Sequence, residues 1–188
     1  MCMDKKKEDL RVKRTHKLLQ QSLLELIEKQ SFETITVKQI CDLAMVHRTT
    51  FYTHFDDKFQ LLSHTLQQIA EQEFKLAQHT PTEIFQELLA VTTKHKNLFS
   101  QLLSEEKDSL RNIIRRDMGN GIKEYVTAHS THMSAIDIEI TVEAYVGAVL
   151  GVLHWWIDNK MPIDQSELHA KLKLLMNWDF LKLQNVKD

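Results

Sequence analysis

Four glycines, two prolines and two cysteines in 188 residues exclude a good deal. Sheets joined by tight turns draw on Gly and Pro where the backbone needs a positive or fixed φ, so a chain this poor in both points away from β-sandwiches and barrels. The same scarcity argues against glycine-rich loops that cradle phosphates. Cys2 and Cys41 make neither a disulfide framework nor a metal-ligand spacing. No apolar run approaches the roughly 20 residues of a membrane span, so no membrane partner is expected. The opening MCMDKKKEDL turns polar at once and lacks a hydrophobic signal region, which predicts a cytoplasmic protein.

A hydrophobic content of 43% is enough to bury a core, and the abundance of Leu, Lys, Gln and Glu favours helices. An all-α protein follows, of one moderate domain or two small ones. The net charge of -2 is uneven. Residues 1–60 hold 11 Lys/Arg against 9 Asp/Glu and the rest 13 against 17, so a nucleic-acid partner for the N-terminal part is permitted but not demonstrated.

Leu18, Leu19, Ser22, Leu23, Leu26 and Ile27 recur at helical spacing and predict a first helix from about Leu10 to Lys29. Residues 1–9 read as a disordered basic tail. After a loop anchored by Phe32 and Ile35, Thr36 stands where an N-cap belongs, ahead of a short helix with Val37, Ile40, Cys41 and Ala44 on one face. Met45 and Val46 form a break. A third helix, from His47 or Arg48 to His54, points Phe51 and Phe55 to one side and Thr49, Thr50, Thr53 and His54 to the other. A fourth opens near Asp57, with Phe59, Leu62, Leu66 and Ile69 as its stripe.

Two short helices, the second with an apolar back and a front of hydroxyls, Arg and His, have the outline of a helix-turn-helix. Such a front can bond to base edges and phosphates. Phosphate repels carboxylates, and residues 43–55 contain none.

The run ITVKQICDLAMVHRTTFYTHFDDKFQLL, residues 35–62, resembles the DNA-binding domain of the tetracycline-repressor-like (TetR) family of bacterial transcription regulators. The matching features are Thr36 opening the second helix, Phe51-Tyr52 followed by His54-Phe55, and Lys58 at the head of the fourth helix. The resemblance covers roughly residues 10–62. It implies that Thr36 and the amides behind it hold a phosphate, that Tyr52 and Lys58 hold others, and that Arg48, Thr49, Thr50 and His54 face the groove, with His47 completing the set of DNA-binding candidates. Plain packing for Tyr52 and plain solubility for Lys58 are the competing readings. The family often has Gly at Met45, Ser or Asp at His47, and Gly or Ala at Thr49. A turn without Gly is expected to avoid positive φ, which costs Met energy.

Residues 63–188 predict about six more helices. Thr80 with Pro81 at the first helical position begins the fifth, a short sixth covers Leu98–Leu103, and SEEKDSL starts a seventh like a capping box, weakened or bent at Gly119 and Gly121. SAIDIEITVEAYVGAVLGVLHWWIDNK forms the most apolar helix, ending near Asn159, and DQSELHAKLKLLMNW the last. This late pair resembles the one by which the family dimerises, and GAVLGVLHWWIDNKMPID resembles the segment of a subset of members, some of them co-regulators. Gly147, Gly151, Leu168, Leu172 and Leu175 are the dimer-interface candidates, although Gly147 and Gly151 equally suit packing against the chain's own core. Phe99, Ile114, Met118, Tyr125 and Trp155 are candidate pocket walls, each also suited to plain core.

The ten histidines lack zinc-site groupings, and no nucleophile or paired-carboxylate motif appears. No metal, cofactor or catalytic residue is therefore assigned. The expectation is an all-α regulator: a three-helix helix-turn-helix domain at 10–62, and a dimeric ligand-binding bundle at 63–188. It would bind a palindromic double-stranded DNA operator as a homodimer, more as a repressor than an activator, and be released by a small-molecule effector. A co-regulator acting through a protein partner is the alternative.

Overall fold

The structure, a computed structural model, describes residues 2–73, 81–104, 108–129 and 133–175. Among them every regular element is helical: α1 (Cys2–Lys29), a 3-10 turn (Phe32–Thr34), α2 (Val37–Ala44), α3 (Arg48–His54), α4 (Lys58–Glu73), α5 (Pro81–Lys94), α6 (Lys96–Leu103), α7 (Asp108–His129), α8 (Ala135–Asp158) and α9 (Gln165–Leu175). The chain divides into two compact units, residues 1–68 and 69–188. The all-α expectation holds. None of these helices is long and apolar enough to cross a membrane.

In the first unit α1 packs on α2 and α2 on α3. Leu19, Leu23 and Ile27 of α1 meet a core that includes Phe32, Ile35, Ile40, Phe51, Leu61 and Leu62, all at most 2% exposed. α1 starts at Cys2, not near Leu10, so the stretch expected as a tail is helical from its second residue. The reason is local: DKKKEDL consists mostly of good helix formers and holds no Gly or Pro to stop the helix.

Thr36 caps α2 as its position predicts. Its hydroxyl accepts the Gln39 amide at 3.2 Å, and the Gln39 side chain accepts the Thr36 amide at 2.8 Å, a reciprocal capping box. The other end corrects an expectation. Met45 adopts φ 53° and ψ 40°, and the amides of Met45 and Val46 close on Asp42 O and Cys41 O. This is a Schellman closure that usually takes Gly. The two closing bonds to the carbonyls of Cys41 and Asp42 hold Met45 in the left-handed region despite its side chain. α8 ends likewise, with Lys160 at φ 61° and the amides of Lys160 and Met161 returning to Ile157 O and Trp156 O.

In the second unit α7 lies along α8, α6 touches both, and α5 packs on α9. α7 runs unbroken through Gly119 and Gly121. Ser134 and Asp137 form a capping box at the head of α8, and Asp164 Oδ1 accepts the amides of Ser166 and Glu167 at the head of α9. Thr80, the expected cap of α5, and residues 105–107, within the stretch expected to cap α7, lie outside the described residues.

Candidate nucleic-acid interface

α3 has seven residues, and an α-helix with its side chains, about 10–12 Å across, fits a DNA major groove roughly 12 Å wide. Phe51 and Phe55, 0% and 4% exposed, pin its back to the core, because residues four apart share a helix face. That packing turns Arg48, Thr49, Tyr52 and Thr53 outward, all exposed, with Thr50 and His54 half-buried at the flanks. Tyr52 sets its ring edge-on against Phe51 at 5.3 Å and leaves half of its surface to solvent.

Several outward groups are held by local bonds. His47, N-cap of α3, places Nδ1 2.8 Å from Thr49 Oγ1. Thr53 donates its hydroxyl to Thr49 O at 2.8 Å. Thr36 spends its hydroxyl in the capping box. Arg48, whose charge is felt at Cys41, presents an exposed guanidinium at the first turn of α3.

His54 is drawn off the front of α3. Its ring meets His16 of α1 edge-on at 4.9 Å, and His16 lies equally close to Phe55 and to His64 of α4. These rings, with Gln60, Ser63 and Gln67, line a groove of about 350 Å³. His16 Nε2 is buried without a hydrogen-bond partner. Burial first, then the neighbouring His64 and His54, push the His16 pKa below its usual value. Among the described residues no group of three or more His, Cys, Asp or Glu is placed to hold a metal ion. Sequence reading missed His16. The available signal was its spacing, three residues before Leu19 and seven before Leu23, which puts it on the buried stripe.

Lys58, expected at a phosphate, instead turns its ammonium into its own unit. Nζ donates to Phe32 O at 2.9 Å, Glu33 O at 2.9 Å and Ile35 O at 2.8 Å. It also sits 4.7 Å from the Phe32 ring centroid and 5.6 Å from that of Phe59.

In the second unit Phe99 and Ile114 are buried, and Met118 and Tyr125 half-buried. Tyr125 stacks on His129 at 4.1 Å, and burial raises its hydroxyl pKa. Trp155 differs from them in exposure. It is 49% exposed, whereas its neighbour Trp156 is 1% exposed and donates Nε1–H to Ile163 O at 2.8 Å. One residue turns a helix by about 100°, so the inward tryptophan is the second of the pair. Gly147, Gly151 and Leu175 are exposed. Leu168 and Leu172, at 4% and 5%, are buried inside their own unit, where α9 packs on α5, so they are not part of an outward face. Ile136, Ile140, Gly147, Gly151 and Trp155 follow one exposed line along α8.

Residues 79–177 match the family described as the transcriptional regulator C-terminal region, of TetR type. Solved structures extend the likeness over both units. A TetR transcriptional regulator from Streptococcus agalactiae is 18% identical with a TM-score of 0.64, over 90% of this chain and 96% of its own. The dihydroxyacetone kinase operon activator DhaS is 16% identical with a TM-score of 0.60, over 90% and 95%. FadR from Bacillus subtilis, solved in complex with stearoyl-CoA, is 15% identical with a TM-score of 0.55, over 84% and 95%. At these identities the likeness is one of fold. No curated protein sequence matches.

Proposed function

Because the chain belongs to the TetR family of transcriptional regulators, we propose that it is a repressor that binds operator DNA as a homodimer and is released by a small molecule held in its second unit. The observation that carries the DNA reading is the front of α3: Arg48, Thr49, Tyr52 and Thr53 face solvent, no carboxylate lies between Leu43 and Phe55, and Phe51 and Phe55 fix the orientation. Arg48 is the base reader, able to offer two parallel N–H donors to a guanine edge. Thr49 and Thr50 add contacts beside it. Tyr52 and the first amides of α2, behind Thr36, are the phosphate anchors.

The exposed line of α8, together with Leu174 and Leu175 at 87% and 79% exposure, supports a dimer face. Gly147 and Gly151 there allow a second helix to come close. For the effector, the apolar side chains of Phe99 on α6 and of Ile114, Met118 and Tyr125 on α7, two helices that pack together, suit a ligand with a hydrocarbon part. FadR of Bacillus subtilis, holding stearoyl-CoA on the same fold, supports that class.

Selection from random duplexes tests the reading. A two-fold dimer sets its recognition helices about 34–36 Å apart or a multiple of that, so the recovered site is a palindrome, and affinity for it drops steeply with salt. A single unrepeated site refutes the dimer. No binding to any duplex at low salt refutes DNA as the partner and favours a co-regulator acting through protein.

A further inference from the structure

We propose that Lys58 is a positioning residue that clamps the Phe32–Ile35 turn to the head of α4 and makes no phosphate contact, an assignment that deepens the DNA-binding reading above and rests on it. An ammonium has three N–H donors. Here three main-chain carbonyls, Phe32 O, Glu33 O and Ile35 O, take one each at 2.8–2.9 Å. The rings of Phe32 and Phe59 lie within cation–π range. To meet a phosphate, Lys58 would give up three charge-assisted bonds and leave a turn's carbonyls without this donor, in exchange for one solvent-screened contact. The balance keeps it where it is.

The position of the clamp gives it a functional consequence. Ile35 O belongs to the peptide directly before Thr36, whose capping box sets the start of α2. Fixing that carbonyl to α4 fixes where the free amides of α2 point, and through the packing of α2 on α3 it fixes the height at which α3 stands. Burial lowers the Lys58 pKa even though Glu33 and Asp57 act in the opposite direction, in keeping with an enclosed ammonium. Arginine cannot substitute, because a planar fork does not converge on three carbonyls around one point.

Three measurements on the full chain test the assignment. Reductive methylation of the wild type without DNA should leave Lys58 protected while exposed lysines react. A Lys58 modified as fast as those overturns the clamp. Lys58→Met and Lys58→Arg should both lower the melting temperature without DNA by at least about 4 °C. Both should also speed exchange of the Gln39 amide while α7 and α8 amides keep their wild-type rates. On the selected duplex, both should bind more weakly with the wild-type salt slope. A phosphate anchor behaves otherwise: Lys58→Met makes the log-log slope shallower by about 2 for the dimer, at roughly 0.9 per phosphate, and Lys58→Arg stays near wild type. That pattern overturns the proposal. If Lys58→Met does not fold, protection in the wild type decides. If the wild type binds no duplex, the DNA reading fails, while methylation and melting still judge the clamp.

Discussion

Trp155 and Trp156 are chemically identical neighbours, and the structure predicts opposite consequences for removing them. Trp156 is 1% exposed and its Nε1–H is held by Ile163 O. Burying a tryptophan hides roughly 150–250 Å², which at about 25 cal/mol/Å² is a transfer term of about 4–6 kcal/mol. After partial collapse of the cavity, Trp156→Ala should cost about 3–5 kcal/mol. In a chain of this length that lowers the melting temperature by about 6–20 °C. Trp156→Phe keeps most of the packing but strips Ile163 O of its donor, for about 1–3 kcal/mol.

Trp155 keeps 49% of its surface exposed. Its burial in the protomer is at most about half of that transfer, and an exposed site leaves no cavity, so Trp155→Ala should cost the fold about 1–2 kcal/mol. Its effect should fall on association. Removing an aromatic anchor from the proposed α8 face should raise the dimer dissociation constant at least about tenfold, equivalent to about 1.4 kcal/mol. Circular-dichroism melts at several protein concentrations, paired with sedimentation velocity, separate the two effects. The reasoning fails if Trp156→Ala melts within about 2 °C of the wild type, or if Trp155→Ala is the more damaging at saturating protein concentration.

Other expectations are as direct. Met45 holds a left-handed conformation with 91% of its surface exposed, so Met45→Gly should be neutral to about 1 kcal/mol stabilising, and Met45→Val destabilising by about 1 kcal/mol or more; a reversed order in urea midpoints would refute the assigned backbone strain. Because the His16 pKa is lowered in the fold by burial, then by His64 and His54, the unfolded chain takes up this proton first as pH falls below about 6.5. The associated stability is present above that pH and lost below it, so His16→Gln should flatten the decline of melting temperature between about pH 7 and 5; an unchanged decline contradicts this. Arg48→Ala should weaken operator binding by about 1–3 kcal/mol per half-site and random DNA much less. If both weaken alike, Arg48 is a phosphate anchor, and base reading passes to Thr49 or Thr50.

Periodicity determined most of what lies close in sequence. The spacing of Leu19, Leu23 and Ile27, the cap at Thr36 and the four-residue step from Phe51 to Phe55 fix α1, α2 and the inward side of α3, because they depend on the 3.6-residue repeat and on backbone donors a few residues away. The same local logic made the family legible over residues 10–62. What only the tertiary structure decided involves partners distant in the chain or the phase of a helix against its neighbours. Lys58 is indistinguishable in sequence from a solvated lysine until the turn at Phe32–Ile35 is folded beneath it, since the carbonyls that hold it lie 23–26 residues upstream. His54 was assigned to the groove, and only the packing of α1 and α4 brings His16 against it and His64 against His16. Trp155 and Trp156, like the buried Leu168 and Leu172, were settled by rotation about a helix axis. A helix that is apolar on nearly all sides, as α8 is, carries no periodic signal of which face meets its own core. The surfaces of α7 and α6 that cover it made that choice.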